Sequence, residues 1–278
     1  MIDLHMHTTA SDGRSTPRQL VADAAARGIT TMAVTDHDTT GAWDEVSAAA
    51  GAAGVTCVPG IEITAVADGR DVHMLGYFFD RQYPELVIFL ETQRVDRRRR
   101  LEEIGERLAR LGAPVDLSRA LAGSGHSQGR ALGRPMAAAA LVAAGHVADI
   151  KDAFDKYLGE GRPAFIERVG VSPAEVVALV ARAGGVASMA HPGKTQKDHL
   201  IPDLIAAGLP AIEVYHAEHD EANTARYRQM AATFNLIATG GSDYHGPGSA
   251  SDQAFGQVRL PAADFAQLAE RAGRPHLA

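Results

Sequence analysis

MIDLHMHTTASDGRSTPRQLVADAAARGITTMAVTDHD, residues 1–38, decides the fold. Ile2–His5 reads as a short apolar strand that runs straight into His5-Met6-His7 and Asp12. Thr16-Pro17 then opens a helix, with a hydroxyl cap and a proline at its first position, that runs to Arg27-Gly28. Thr30–Thr35 is apolar and β-branched, a buried strand, and it ends in Asp36-His37-Asp38. Twice within one stretch an apolar strand delivers imidazole and carboxylate at its carboxyl end. A strand–helix–strand rhythm of this kind belongs to an α/β sheet of parallel strands with helices outside.

The rhythm continues outward. A helix over Ala42–Ala53 is stopped by Gly54, Val55–Val58 is a third strand, and Asp71–Phe79 is a fourth, entered through Asp68-Gly69. From Tyr83 to Val169 the periodicity is helical, with helices predicted over Glu91–Leu111, Arg134–Ala144 and Ile150–Leu158 and a Gly/Ser-rich loop over Ala122–Gly133. Beyond Ser172-Pro173, which caps a helix to Ala183, strands are expected at Val186–Ala190, Ala211–Tyr215, Leu236–Thr239 and Phe255–Leu260. Helices over Leu200–Ala207, Glu221–Phe234 and Ala262–Arg271 alternate with them. The expected architecture is a small, nearly closed β/α barrel from residues 1–82 and 170–278, with a helical insertion over 83–169 that contributes to substrate binding.

The chain has 278 residues, net charge −7 and one cysteine, Cys57. The acidic balance argues against binding duplex DNA or a membrane surface, which need a broad basic face. One cysteine excludes a disulfide framework and an all-cysteine zinc site. No charged leader precedes an apolar run and no apolar stretch has the ~20 residues of a membrane span, so a cytoplasmic location is expected.

The twelve histidines carry more information. In a parallel β/α barrel, reactive groups gather at the carboxyl ends of the strands. Those ends here offer His5 and His7 with Asp12, then Asp36-His37-Asp38, Glu62, His73, His191, His216 and Asp243-Tyr244-His245. In His5-Met6-His7 and Asp243-Tyr244-His245 the outer residues share one face of an extended chain and can clamp one ion. Mixed imidazole and carboxylate donors suit Zn, Mn or Fe better than Ca or Mg. Glu62 lies between Ile61 and Ile63, where an ionised carboxylate is costly unless a cation balances it. One of Asp36 and Asp38 is expected to support the site or cap a helix. His216 and His219 are open between site and surface, and His126, His146, His199 and His276 read as ordinary.

The run His5-Met6-His7, Asp12-Gly13, Thr35-Asp36-His37-Asp38, Pro59-Gly60-Ile61-Glu62, Val72-His73, Ala190-His191-Pro192-Gly193 and Gly241-Ser242-Asp243-Tyr244-His245 resembles the PHP (polymerase and histidinol phosphatase) superfamily. The resemblance implies a distorted (β/α)7 barrel with up to three divalent ions, manganese by preference, zinc or iron as alternatives. By it, His5, His7, Glu62 and Asp243 would hold one ion. Glu62, His73 and His191 would hold a second, and Asp12, His37 and His245 a third. The insertion and the run Gly133-Arg134-Pro135 look like the branch that cleaves the 3′-phosphate of nucleoside 3′,5′-bisphosphates. Many members of that branch carry His in the next place, where this chain has Met136. A metal-bridging hydroxide would attack phosphorus, with His191, Asp12 and His37 in the catalytic group. Arg134 and Pro135, with Arg130 and Lys194, would contact substrate phosphate. Three divalent ions, less three carboxylates and a hydroxide, leave about two positive charges, matching a monoester dianion.

Arg94 and Arg97–Arg100 read better as a solvated helix face than as a polynucleotide track, because Arg98 and Arg99 each precede an acid by four residues, with the alternative that one or two of them face the site across the insertion and contact a nucleotide's second phosphate. The expected partner is a small nucleotide, with short RNA as an alternative. Rival readings are a histidinol-phosphate phosphatase, a 5′-to-3′ exonuclease on short RNA, and a metal-stabilised interaction module without activity. An amidohydrolase is disfavoured, because the bridging place holds Glu62 and no lysine sits on a strand.

Overall fold

The structure, a computed structural model, describes residues 1–122, 131–168 and 170–277. Seven strands form one sheet in chain order: β1 (Ile2–Asp3), β2 (Thr31–Val34), β3 (Thr56–Ala67), β4 (Arg70–Tyr77), β5 (Val186–Met189), β6 (Ala211–His216) and β7 (Ile237–Gly241). The two edges approach each other. Leu4 N–H donates to Gly240 O (3.1 Å) and His7 N–H to Tyr244 O (2.8 Å), so the chain just after β1 closes on the chain around β7 and the sheet becomes a nearly closed barrel. This seam is tight: a Cβ on Gly241 would come within 2.3 Å of His5 N.

Helices α1 (Pro17–Ala26) and α2 (Trp43–Ala53) connect the first three strands. The Thr16 hydroxyl caps α1 by accepting from Gln19 N–H, and Gly54 ends α2 at φ +67°. Between β4 and β5 come α3 (Pro84–Arg110), α4 (Ser118–Ala122), α5 (Arg134–Ala143), α6 (Ile150–Ala153) with a π turn to Leu158, and α7 (Pro173–Arg182). Leu101, Ile104, Leu108, Leu132, Ala137 and Leu141 bury a hydrophobic cluster of their own, apart from those around the strands. Met136 packs in that cluster, so the place after Arg134-Pro135 serves packing. The remaining helices are α8 (Pro192–Thr195), α9 (Ile201–Ala206), α10 (Glu221–Phe234) and α11 (Ala262–Arg271).

Two expectations fail. The sheet is not all parallel: β4 runs antiparallel to both β3 and β5. The cause is local. Asp68 and Gly69 both sit at positive φ (51° and 72°), the conformation of a two-residue hairpin turn, which can only join antiparallel strands. The hairpin also lengthens β3 to twelve residues, so Glu62 lies in mid-strand, not past its end. Phe255–Leu260 is not a strand either. Phe255 stacks face to face on Tyr244 (3.9 Å between ring centroids), and Gly256 turns the chain at φ +77°.

Because Gly241 faces backbone rather than a flexible side chain, Gly241→Ala is expected to cost about 1–3 kcal/mol of stability, the usual penalty of overpacking. A lowered thermal midpoint checks this, and an unchanged one removes the seam from the account of the fold.

Candidate metal centre

The barrel gathers imidazoles and acids from seven places in the chain. Glu62 on β3 is fully buried and is their meeting point. Its Oε2 lies 3.2 Å from His5 Nε2 and 3.2 Å from His7 Nε2. Asp243 Oδ1, just past β7, approaches the same two nitrogens at 3.4 and 3.2 Å. Glu62 Oε1 lies 2.9 Å from His73 Nδ1 and 3.0 Å from His191 Nε2. Asp12 forms a third group, 3.3 Å from His245 Nε2 and 3.8 Å from His37 Nε2. His37 stands between groups, since its Nδ1 is 3.2 Å from Glu62 Oε2. The structure thus brings together every residue that the sequence marked as a donor.

The donor set fits divalent cations. His7 Nε2, His37 Nδ1, His73 Nδ1 and Asp12 Oδ1 are buried without a hydrogen-bond partner among the described residues. Such atoms cost about 1–3 kcal/mol each unless something satisfies them. Burial would raise the carboxyls of Glu62, Asp12 and Asp243, yet the surrounding imidazoles hold all three well below the usual range. Burial would lower His7, but Asp243 and Glu62 lift it to about 10. Without other cations, imidazole protons balance the acids. His37 goes the other way, down to about 3, chiefly through burial, and so is neutral.

The hydrogen-bond network assigns the tautomers. His5 Nδ1–H donates to Glu213 Oε1 (3.0 Å), and His245 Nδ1–H to Asp243 O (2.8 Å). The Thr195 hydroxyl donates to His191 O, so it accepts from His191 Nδ1–H (3.3 Å). In each ring Nδ1 thus carries a proton, so on binding a cation Nε2 would be the nitrogen that offers its lone pair. His216 is the reverse. Its Nδ1 accepts from Glu218 N–H (3.0 Å), which leaves the proton on Nε2, 3.4 Å from Asp243 Oδ2. His219 spends both nitrogens on backbone, donating to Val214 O and accepting from Gly193 N–H. Both histidines therefore flank the site as supports. Asp36 is also a support: it accepts from Thr8 N–H, the Thr8 hydroxyl and the Ser11 hydroxyl, and so pins the loop that carries Asp12.

One cavity is lined by Asp12, His37 and His73 together with Arg97, Arg100, Arg134 and Arg168, and by Asp71 and Pro135. Asp38 anchors this arginine group. It accepts from Arg97 Nε (2.7 Å) and Arg168 Nη1 (3.3 Å). Arg134 pairs with Asp71 at 3.2 Å. Arg100 Nε and Arg168 Nε are buried with no hydrogen-bond partner among the described residues, and burial pushes Arg100 down to about 10.

The solvated-face reading of α3 therefore holds for Arg98 and Arg99, which pair with Glu102 and Glu103, and fails for Arg97 and Arg100. Lys194 is not at this cavity: it pairs with Glu218 (2.7 Å) and Asp243 Oδ2 (3.3 Å) and lines a different one. Arg130 lies outside the described residues, as does His126.

Glu62→Ala removes both oxygens of the meeting point. Bound divalent metal, measured by elemental analysis after dialysis, is expected to fall by more than the ~10–100-fold in affinity that loss of an outer support causes; wild-type metal content in the variant would contradict the site. Asp38 supplies a pH test. Burial opposes its ionisation, but Arg97 and Arg168 bring it to about 2 from 3.8. Ionised Asp38 thus favours the fold above pH ~4, and that gain is lost as pH falls toward ~2. The stability gap between wild type and Asp38→Asn, read from urea midpoints, is expected to shrink by about 2 kcal/mol over this interval.

A family model described as the PHP domain matches residues 3–113. A 5′-3′ exoribonuclease of Haemophilus influenzae is 34% identical, over 88% of this chain and 90% of that protein. A 3′,5′-nucleoside bisphosphate phosphatase of Chromobacterium violaceum is also 34% identical, over 89% of this chain and 88% of that protein. A solved structure from Bifidobacterium adolescentis, ascribed to the metal-dependent phosphoesterases, superposes with a TM-score of 0.89 at 34% identity, covering 97% of this chain and 96% of that one. With these likenesses spanning nearly its whole length, and with its acids and imidazoles gathered at one end of the barrel, the chain belongs to the PHP family and is a metal-dependent phosphoesterase.

Proposed function

We propose that the protein hydrolyses the 3′-phosphate of nucleoside 3′,5′-bisphosphates, giving nucleoside 5′-monophosphate and inorganic phosphate. The observation that carries this reading is the shared cavity, lined both by metal-type donors and by four arginines. The two sets of groups suit two phosphate groups on one small molecule. The name of the Chromobacterium violaceum relative agrees with it.

Divalent ions, manganese in this reading, held by His5, His7, Glu62 and Asp243, by Glu62, His73 and His191, and by Asp12, His37 and His245, supply an ionised water and neutralise the reacting phosphate. The chain's own residues do the rest. Arg97, Arg100, Arg134 and Arg168 bind the phosphate that does not react, and the Nε–H of Arg100, buried without a hydrogen-bond partner among the described residues, is a donor it would satisfy. Asp38 and Asp71 keep the guanidiniums oriented before substrate arrives. Asp12 and His37 line the cavity, so a cation held there would face the reacting phosphate. His191 stands on the far oxygen of Glu62 with its Nδ1 proton given to Thr195, which supports holding a cation rather than moving a proton. The segment over 83–169 contributes Arg97 and Arg100 from α3, Arg134 from α5 and Arg168 from the stretch before α7, and this supports a role for the segment in substrate binding.

Histidinol phosphate has one phosphate and would leave the arginines unfilled. Short RNA is favoured by the exoribonuclease name of the Haemophilus influenzae relative and is the second reading.

Phosphate release from adenosine 3′,5′-bisphosphate, adenosine 3′-monophosphate and histidinol phosphate, beside cleavage of a labelled short RNA, tests the reading. The bisphosphate is expected to exceed the 3′-monophosphate in kcat/KM by about 10–100-fold, the worth of one charged hydrogen-bond set. Arg100→Ala should raise KM for the bisphosphate about tenfold and leave the 3′-monophosphate unchanged. Faster turnover of histidinol phosphate, or RNA cleavage outpacing the bisphosphate, would overturn it.

A further inference from the structure

Glu213 is fully buried on β6, between Ile212 and Val214, and belongs to none of the three donor groups described above. Its two oxygens nevertheless reach two of the donor residues. Oε1 accepts from His5 Nδ1–H at 3.0 Å, and Oε2 accepts from the backbone N–H of His191 at 2.7 Å. The same two imidazoles present their opposite nitrogens to the two oxygens of Glu62, His5 Nε2 at 3.2 Å from Oε2 and His191 Nε2 at 3.0 Å from Oε1. The rings are stacked, 5.8 Å apart and inclined by 22°. Two histidines are thus held between two buried carboxylates.

We propose that Glu213 is a positioning residue that sets the tautomer of His5 and the backbone of His191 together, and so couples the two cation positions that share Glu62. The inference rests on the metal reading of the cluster.

Three features carry it. First, an imidazole that donates through Nδ1 keeps its Nε2 lone pair, and a carboxylate behind the ring strengthens that lone pair as a donor. Second, His191 has φ +26° and ψ 60°, a backbone conformation that L-residues avoid. Its N–H is tied to Glu213, and its carbonyl and Nδ1 are tied to Thr195. The strained residue is fastened on both sides, and Glu213 supplies the fastening toward the barrel. Third, both Glu213 oxygens must accept, because both partners are N–H groups. His5, Glu213 and His216 lie close enough to suggest a further ion site, but His5 Nδ1 and His216 Nε2 carry protons, so this triad supports a neighbouring site.

The acceptor requirement makes Glu213→Gln informative. Glutamine offers one acceptor and one amino group. If the amino group faces His5 Nδ1, His5 must move its proton to Nε2 and lose its lone pair there. If it faces His191, two N–H groups oppose each other and the strained turn loses its tie. Either way one of the paired donors is spoiled, and coupling carries the loss to the other position.

The test is metal binding by competition with a chromophoric chelator, using Mn2+ and Zn2+, on the full-length wild type and Glu213→Gln. Affinity at two positions per chain is expected to fall together by about 10–100-fold, as outer supports of metal-bound histidine do, while the position at Asp12 and His245 keeps its affinity. Wild-type affinity and stoichiometry in the variant would overturn the inference. Loss confined to one position would overturn the coupling.

A second measurement needs no variant. Two-bond nitrogen–proton spectra of the zinc-loaded wild type should show Nδ1 protonated in both His5 and His191, and a proton on His5 Nε2 would refute the assignment. If the wild type binds no divalent ion at all, the proposed function fails first. If the wild type binds and the variant binds equally well, only the role of Glu213 fails.

Discussion

A carboxylate buried in mid-strand has to be balanced, and Glu62 is the case around which this barrel is arranged. It has no solvent exposure, and five imidazoles from four segments stand within 3.2 Å of its two oxygens. Bringing His5 and His7 there requires the edges of the sheet to meet, which is why the seam between β1 and β7 is backbone against backbone at Gly241. Bringing His73 there requires β4 to run backward, so that the first half of that strand, rather than its end, lies beside Glu62 at the register Thr64 opposite His73. The supports serve the same end. Asp36 pins the loop of Asp12, Thr195 and Glu213 fix His191, and Asp243 O fixes His245. A cluster of this kind links folding to cation binding, because the unfolded chain has no such site and the folded chain gains from filling it.

Much of this was legible in the sequence because the donors follow apolar strands at spacings with a geometric meaning. His5-Met6-His7 and Asp243-Tyr244-His245 alternate as strand residues do, and Glu62 between two isoleucines announces a buried acid. Glu213 between Ile212 and Val214 sends the same signal, and that signal went unread because no motif includes it. The direction of β4 was contained in Asp68-Gly69, but a turn dipeptide reveals direction only when the strands on both sides are known to pair. The arginines of α3 were hidden for another reason. Arg97 and Arg100 lie on the same helical stripe as Leu86, Leu101, Ile104 and Leu108, and there they donate to Leu132 O and Ile166 O. The i,i+4 acids after Arg98 and Arg99 drew the reading of the run toward a solvated face and away from that stripe.

The cavity is lined by two kinds of group, acids and imidazoles suited to cations and guanidiniums suited to an anion. Were three divalent ions bound, as in the proposed function, Asp12, Glu62, Asp243 and a hydroxide would leave about two positive charges, and Glu213 in contact with His5 would draw that down by about one. Taken alone, the cluster would then discriminate poorly between a monoester dianion and a diester. The arginine group changes the balance, because four guanidiniums face only Asp38 and Asp71. Glu62, Asp12 and Asp243 are held ionised by the imidazoles around them, so this part of the cavity is set up to receive cations. The arginine group needs no cation: its carboxylates are already paired, and its free donors stand ready. A molecule with a phosphate at each end is therefore attracted first by the end that does not react, and that attachment brings the other end to the metal donors as a unimolecular step.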